Sequence, residues 1–277
     1  MIRIIITTCI CLVLLSTTAM AQELGIGLSG GMQGLQYKFN QQNSQLKAGT
    51  ILDIGYTFPL GKNLGIISGI TCGTYTSEIV LNGQHAFNSY EVDESGSAFI
   101  YNVTINGYKE QQRFIAAGIP VMLQYHTSGK TQWYINGGAK LLFPFSGKYT
   151  SSATQVITTG FYPDYNILLK DLPHLGFGTV NNWRSDKGAL SLKATATISA
   201  ATGISFEWND FRLYTGIYMD YGLNNLADKP SDGTLVTYSS SGINNMHANS
   251  ILKRNGMESA KLLGYGIQVR LGIPTRK

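Results

Sequence analysis

The chain is poor in charge, nearly without cysteine, and beyond its first residues has no long apolar run. Charged residues make up 13% of its 277 positions, against ~25% in ordinary soluble domains. The formal net charge of +5 is mild, and no basic cluster is interleaved with aromatics, which excludes nucleic acid as a partner. Of three cysteines, Cys9 and Cys11 fall in the N-terminal apolar segment, so only Cys72 is left for the body of the chain. An internal disulfide and a cysteine metal centre are therefore not expected. The histidines (His85, His126, His174, His247) are scattered without metal-ligand spacing, so no metal or other cofactor is expected. No run of ~20 apolar residues follows the N-terminus, which excludes a membrane helix there.

The first residues read MIRIIITTCICLVLLSTTAMAQE. A basic start at Arg3, an apolar core from Ile4 to Leu15 and a closing Ala19-Met20-Ala21 form a secretory signal, with cleavage expected after Ala21. The mature domain would then be 22–277. An exported chain with no disulfide must be held by a large core or by a closed hydrogen-bonded sheet.

What the chain does have is alternation. In FEWNDFRLYTGIYMDYGLN (206–224), Phe211, Leu213, Ile217, Met219, Tyr221 and Leu223 take odd positions. Arg212, Tyr214, Gly216, Tyr218, Asp220 and Gly222 take the even ones. Period two is the mark of a strand with two unlike faces. Eight such segments are expected, near 24–39, 46–58, 64–80, 109–125, 132–145, 190–208, 211–223 and 260–273. The first changes phase near Gly34, so a bulge is expected there, keeping Leu35, Tyr37 and Phe39 on the face of Leu24, Ile26 and Leu28. Connections after the second, fourth and sixth segments are short and rich in turn formers. Those after the third, fifth and seventh are long and polar. Loops sorted by length in this way are the plan of an eight-stranded antiparallel transmembrane β-barrel, with short periplasmic turns and long extracellular loops. Hairpins hidden in the long loops would raise the count to ten.

In such a barrel the apolar face meets lipid and the polar face the lumen. Tyr56, Phe58, Tyr125, Trp133, Phe206, Trp208 and Phe211 lie on apolar faces beside the short turns, a girdle at headgroup depth. The lumen of eight strands is just filled by side chains. It would hold Lys47, Asp53, Lys140, Lys193, Glu207, Arg212, Asp220 and Arg270, and charges withdrawn from water need partners. Pairing of Arg212, Arg270 and Lys47 with Asp53, Glu207 and Asp220 is expected, with at most limited permeation.

Two catalytic patterns fail on context. Gly25-Ile26-Gly27-Leu28-Ser29-Gly30 matches G-x-G-x-x-G, but no strand precedes it and no helix follows. A lipid-modifying barrel enzyme needs a His–Ser pair or equivalent at the rim, and the loop histidines lie in no such motif. The external stretch around Phe161, Tyr162 and Tyr165 combines aromatics with turn residues, is apolar enough as far as Phe177 to pack, and reads as a folded external lid or contact surface.

FIAAGIPVMLQY (114–125) resembles the EIPLLLKY strand of outer-membrane barrels common in Bacteroidetes, the PorT-like and OmpA-like barrel-domain group. MDYGLNN (219–225) is similar to a late-strand ending there, and FYPDYN (161–166) with HLGFG (174–178) resembles their long external loop. The resemblance implies an integral outer-membrane protein in contact with the lipid bilayer. The long external loops point to an envelope-structural or surface-interaction role, with an extracellular or envelope protein as the loop partner. A lipid-modifying enzyme and a PorT-like accessory of secretion are the alternatives. The chain stops soon after the eighth segment, so the peptidoglycan-binding domain of many relatives is not expected. It ends in IPTRK, not in a terminal aromatic, which leaves VRLGI (269–273) as the candidate assembly signal.

Overall fold

The computed structural model describes residues 22–38, 42–227, 234–253 and 258–275. The expected signal segment and Phe39 lie outside them. Eight strands form the wall: β1 (Glu23–Lys38), β2 (Ala48–Pro59), β3 (Leu64–Leu81), β4 (Lys109–His126), β5 (Thr131–Tyr162), β6 (Thr195–Trp208), β7 (Phe211–Gly222) and β8 (Ser259–Pro274). Each pairs antiparallel with its neighbours in chain order, β5 with β6 included, and β1 pairs with β8 along its whole length, from Glu23↔Pro274 to Lys38↔Ser259. The ladder is closed, and the wall is an eight-stranded barrel.

Faces follow parity. Ile54, Ile70, Val121, Ile198, Ile217 and Ile267 point outward and are exposed. Thr71, Gln124, Asn136, Ser199 and Asp220 point inward and are buried. A soluble protein does not leave so broad an apolar belt in water. The belt is a lipid-facing surface, and the strands cross a membrane.

Connections at one end are tight. Residues 60–63 and 127–130 close two turns, and Asn209 closes the third in the left-handed region (φ 56). Asn63 ties the first two together, its Nδ2 donating to the His126 carbonyl at 2.6 Å. At the other end β5 runs on to Tyr162, well past its expected end near 145. The 84–92 and 98–106 strands form a hairpin that joins this extension through Ile100↔Phe161 to Asn106↔Gln155. Strands 167–169, 178–184 and 188–189 pair on its other side. The hidden hairpins therefore raise the wall outside the membrane and leave the barrel at eight.

Two details of phase differ from expectation. No bulge occurs at Gly34: the β1–β8 register is unbroken, and Leu35 and Tyr37 are buried inside. Leu35 joins an apolar layer of the interior, and Tyr37 is held inward by its hydroxyl, which bonds the buried Ser77 and Gln112 side chains. The slip lies instead before β2, where Leu46 pairs with Ser77 but Thr50 with Thr74. One extra residue puts Lys47 and Ala48 consecutively on the outer side.

Strand glycines permit the tight curvature. Gly203 faces Gly216 across β6 and β7, and a Cβ on either would overlap the carbonyl oxygen of Thr215 or Thr202. Close approach of backbones at such points is what glycine allows in a strongly coiled sheet.

Depth in the belt makes a test. Ile217 is midway along the outward residues 211–223 and Leu223 at their end. Ile217→Arg is expected to lower stability by ~2–4 kcal/mol and Leu223→Arg by only about 0–1 kcal/mol, read from urea unfolding in lipid vesicles.

Candidate functional site

The interior is layered. Nearest the short turns, Arg212 pairs with Glu207 and donates to Gln132 Oε1 at 2.8 Å. Above it, Arg270 lies over the Tyr214 ring, 3.9 Å from guanidinium carbon to centroid, with Glu23 at 3.7 Å. The Tyr214 hydroxyl donates to the second Glu23 oxygen at 2.9 Å. Next comes Lys140, whose Nζ is 2.9 Å from Asp220 Oδ2, with both side chains almost wholly buried. Asp53 shares a cavity of about 90 Å³ with this pair, walled also by Gly25, Gly27 and Tyr134. A wider vestibule of about 380 Å³ opens at the turn end between Glu23, Gln124, Glu207 and Arg212.

Higher still the interior becomes apolar. Leu35, Tyr75, Phe114, Ala116, Leu142 and Leu262 close it, with Tyr75 stacked on Phe114 at 5.0 Å. Over that layer lies one buried carboxylate, Glu110. It accepts from Tyr108 (2.6 Å), Gln112 (2.6 Å), Ser250 (2.7 Å) and the Ile251 backbone N–H (2.9 Å). Burial is the larger effect and pushes the Glu110 carboxyl above the usual carboxylate range, while the Tyr108, Gln112, Ser250 and Ile251 donors pull it back towards the charged form. Through Ser250 and Ile251 it clamps the segment 234–253 into the mouth. Leu235, Val236, Ile243, Met246, Ile251 and Leu252 of that segment are buried. They continue into an aromatic cluster in which Phe99 meets Tyr162, Phe177 and Tyr238 at ring distances of 5.1, 5.6 and 5.0 Å. The described parts of the external loops thus form one folded core that fills the outer end.

The loop surface is ordered too. Asp93 accepts from Ser95 and from the Ser97 N–H in the hairpin turn, and from the Tyr162 hydroxyl at 3.0 Å. The Ser95 hydroxyl and the Ser97 N–H hold the Asp93 carboxyl below the usual range. Burial, helped by Asp93, pushes the Tyr162 phenol up to about 12.

The residues singled out in the sequence divide as follows. Asp53, Lys140, Glu207, Arg212, Asp220 and Arg270 line the lumen or its mouth. Arg212 pairs with Glu207, within the expected set, whereas the other pairs differ: Lys140 takes Asp220, and Arg270 takes Glu23. Lys47 is outside, 3.4 Å from Glu78, because of the slip before β2. Lys193 is exposed and precedes β6, which begins at Thr195 rather than near 190. Tyr56, Phe58, Tyr125, Trp133, Trp208 and Phe211 are exposed on the outer face beside the turns, with Phe206 half-buried among them. In the external stretch Tyr165 is exposed and Phe161 partly so, whereas Tyr162 turns into the aromatic cluster and is not surface. Glu23 and Glu110 were missed. Glu23 shares the parity of Gly25 and Gly27, a signal available in the sequence; Glu110 meets Ser250 across 140 positions, and no local pattern announces that.

A closed antiparallel barrel, apolar outside and ion-paired within, is a transmembrane barrel of the outer-membrane type. The chain belongs to the outer membrane protein beta-barrel domain family, whose profile matches residues 20–228. Among solved structures it is similar to Neisserial surface protein A, at 9% identity over 89% of this chain and 95% of that one, with a TM-score of 0.31. It is similar also to Ail, the attachment invasion locus protein of Yersinia pestis, at 8% identity over 92% and 100%, with a TM-score of 0.31. No curated protein sequence matches it.

Removing one member of a buried ion pair leaves the other uncompensated. Lys140→Met is expected to cost about 3–5 kcal/mol, and adding Asp220→Asn to recover most of it, both read from urea titrations of the refolded barrel. Glu110→Gln replaces an acceptor by a donor amide beneath the loop core, at about 1–3 kcal/mol. Limited proteolysis should then cut within 234–253 while the heat-sensitive electrophoretic shift of the barrel persists.

Proposed function

We propose that this protein is a non-conducting integral protein of the outer membrane that presents a folded external sheet to a protein partner, and that it is not an enzyme. The observation that carries the reading is a row on the outer face of that sheet. Tyr90, Ile100, Phe161 and Leu168 stand in successive register, Tyr90↔Ile100, Ile100↔Phe161 and Phe161↔Leu168. Tyr90 is 87% exposed and Leu168 53%. The row ends at strand 84–92, which among the described residues pairs only with 98–106 and forms the free edge of the sheet. Natural edges are blunted by lysine, proline or bulges, and QHAFNSYEV has neither lysine nor proline. An apolar row beside an open edge suits a partner that adds an extended segment, with backbone hydrogen bonds for affinity and side-chain contacts for choice.

The filled outer mouth supports the absence of conduction, limiting permeation to water or small solutes at most. The outward aromatics beside the turns support anchoring at headgroup depth. Export through a signal cleaved after Ala21 completes the reading, and N-terminal sequencing of the mature protein checks it. The motifs at 114–125 and 219–225 support a version in which the partner belongs to the envelope and the barrel serves secretion, as PorT-like barrels do. His85 favours structure over catalysis: its ring meets the Asn82 carbonyl at 2.9 Å and stacks beside Phe87.

Planar-bilayer recording is expected to give no discrete conductance steps; regular steps would sink the sealed-barrel reading. On whole cells, Tyr90→Ser with Leu168→Ser should remove the cross-linked partners of the wild type without altering the electrophoretic shift. An unchanged cross-linking pattern would overturn the surface role.

A further inference from the structure

The outer face just above the lipid-facing belt carries a second feature that the surface role does not use. Arg113 on β4 and Lys148 on β5 are directly opposed in the ladder, and both are exposed. Like charges across a strand pair destabilise it. Lys187, on the segment returning along β5, lines the same groove of about 490 Å³. Among the described residues none of the three makes an ion pair, although other cations at this level do: Lys109 and Lys47 share Glu78 at 2.9 and 3.4 Å, and Lys38 takes Glu258 at 2.7 Å. The acidic neighbour in sequence, Asp186, lines the adjoining cleft together with Arg184 and Lys187. Gln111, Ser146 and Thr150 add neutral donors to the groove wall.

A bulge shapes the site. Ile115 pairs with Ser146 but Ala116 with Pro144, so Phe145 is the extra residue, 65% exposed at the top of the belt. Arg113 is two residues beyond Ile115, about 7 Å of strand, or about 5 Å along the membrane normal at a tilt of ~40°. The polar headgroup layer is roughly 5–7 Å deep on each side of the hydrocarbon core. The three cations are therefore held at the depth of lipid phosphates, on the side of the long loops, with an aromatic ring below them at the level of acyl chains.

We propose that Arg113, Lys148 and Lys187 form a binding site for the phosphate of an outer-leaflet glycolipid headgroup. Arginine offers a planar fork to phosphate oxygens and the lysines add point charge. The anion also relieves the repulsion built into the Arg113–Lys148 pair.

The test is native mass spectrometry of the full mature barrel in neutral detergent, titrated with monophosphorylated lipid A and with the same lipid dephosphorylated. The wild type should retain the phosphorylated lipid at least tenfold more tightly than the dephosphorylated one. Arg113→Gln with Lys148→Gln and Lys187→Gln should abolish that preference. Lys148→Glu alone should also abolish it while raising the urea midpoint, since a like-charge pair becomes an ion pair. That combination separates a lipid site from a merely structural cluster and does not depend on the triple variant folding. Equal retention of both lipids by the wild type, or retention unchanged in Lys148→Glu, would overturn the proposal. Displacement of the lipid by equimolar inorganic phosphate would overturn it as well, assigning the site to a soluble anion.

Discussion

Closure of the hydrogen-bonded ladder is the constraint on which this molecule depends. β1 pairs with β8 from end to end and β5 pairs with β6, so within the membrane no row of backbone donors and acceptors is left open. In hydrocarbon each unpaired backbone group would cost several kcal/mol, and only closed sheets or helices avoid that penalty. Closing eight strands also makes the lumen narrow enough to be filled by side chains. Parity then assigns every strand residue to lipid or to that filled interior. The open edge of the structure, at 84–92, is found where water can satisfy it.

The filling is not uniform, and its gradient gives the barrel a direction. Near the short turns the interior is polar and holds Arg212–Glu207, Arg270–Glu23 and Lys140–Asp220. Towards the long loops it becomes apolar, and the segment 234–253 packs over it as the loops of a soluble protein pack over a core. Glu110 joins the two regimes: it is buried, yet its donors come both from the wall and from the segment above. External loops held this firmly can carry a defined sheet above the membrane, which a set of mobile loops could not.

Much of this was readable in advance, and the failures have physical causes. The strand count, the lipid-facing residues and the sorting of loops by length follow from period-two alternation and turn chemistry, which are local. Errors occurred where one extra residue or a hidden core changed the rule. Lys47 was assigned inward because the slip before β2 leaves no mark in composition. Taking apolar to mean lipid sends Leu35 and Tyr37 outward, whereas the upper interior has an apolar layer for Leu35 and buried polar partners for the Tyr37 hydroxyl. Composition marks 160–177 as able to pack but does not say which of its aromatics turn inward, and it is Tyr162 that enters the core, against Phe99.

By itself the sequence determined the class of the protein: an alternating chain low in charge, with short turns on one side, can satisfy its backbone in a membrane only by closing a barrel. What only the tertiary structure decided is who meets whom. The choice of Glu23 for Arg270, of Ser250 for Glu110 and of Lys148 to face Arg113 depends on register and on contacts between distant segments. Such choices are made by the three-dimensional sum of closure, shear and packing, and alternation, which repeats every two residues, carries no information about them.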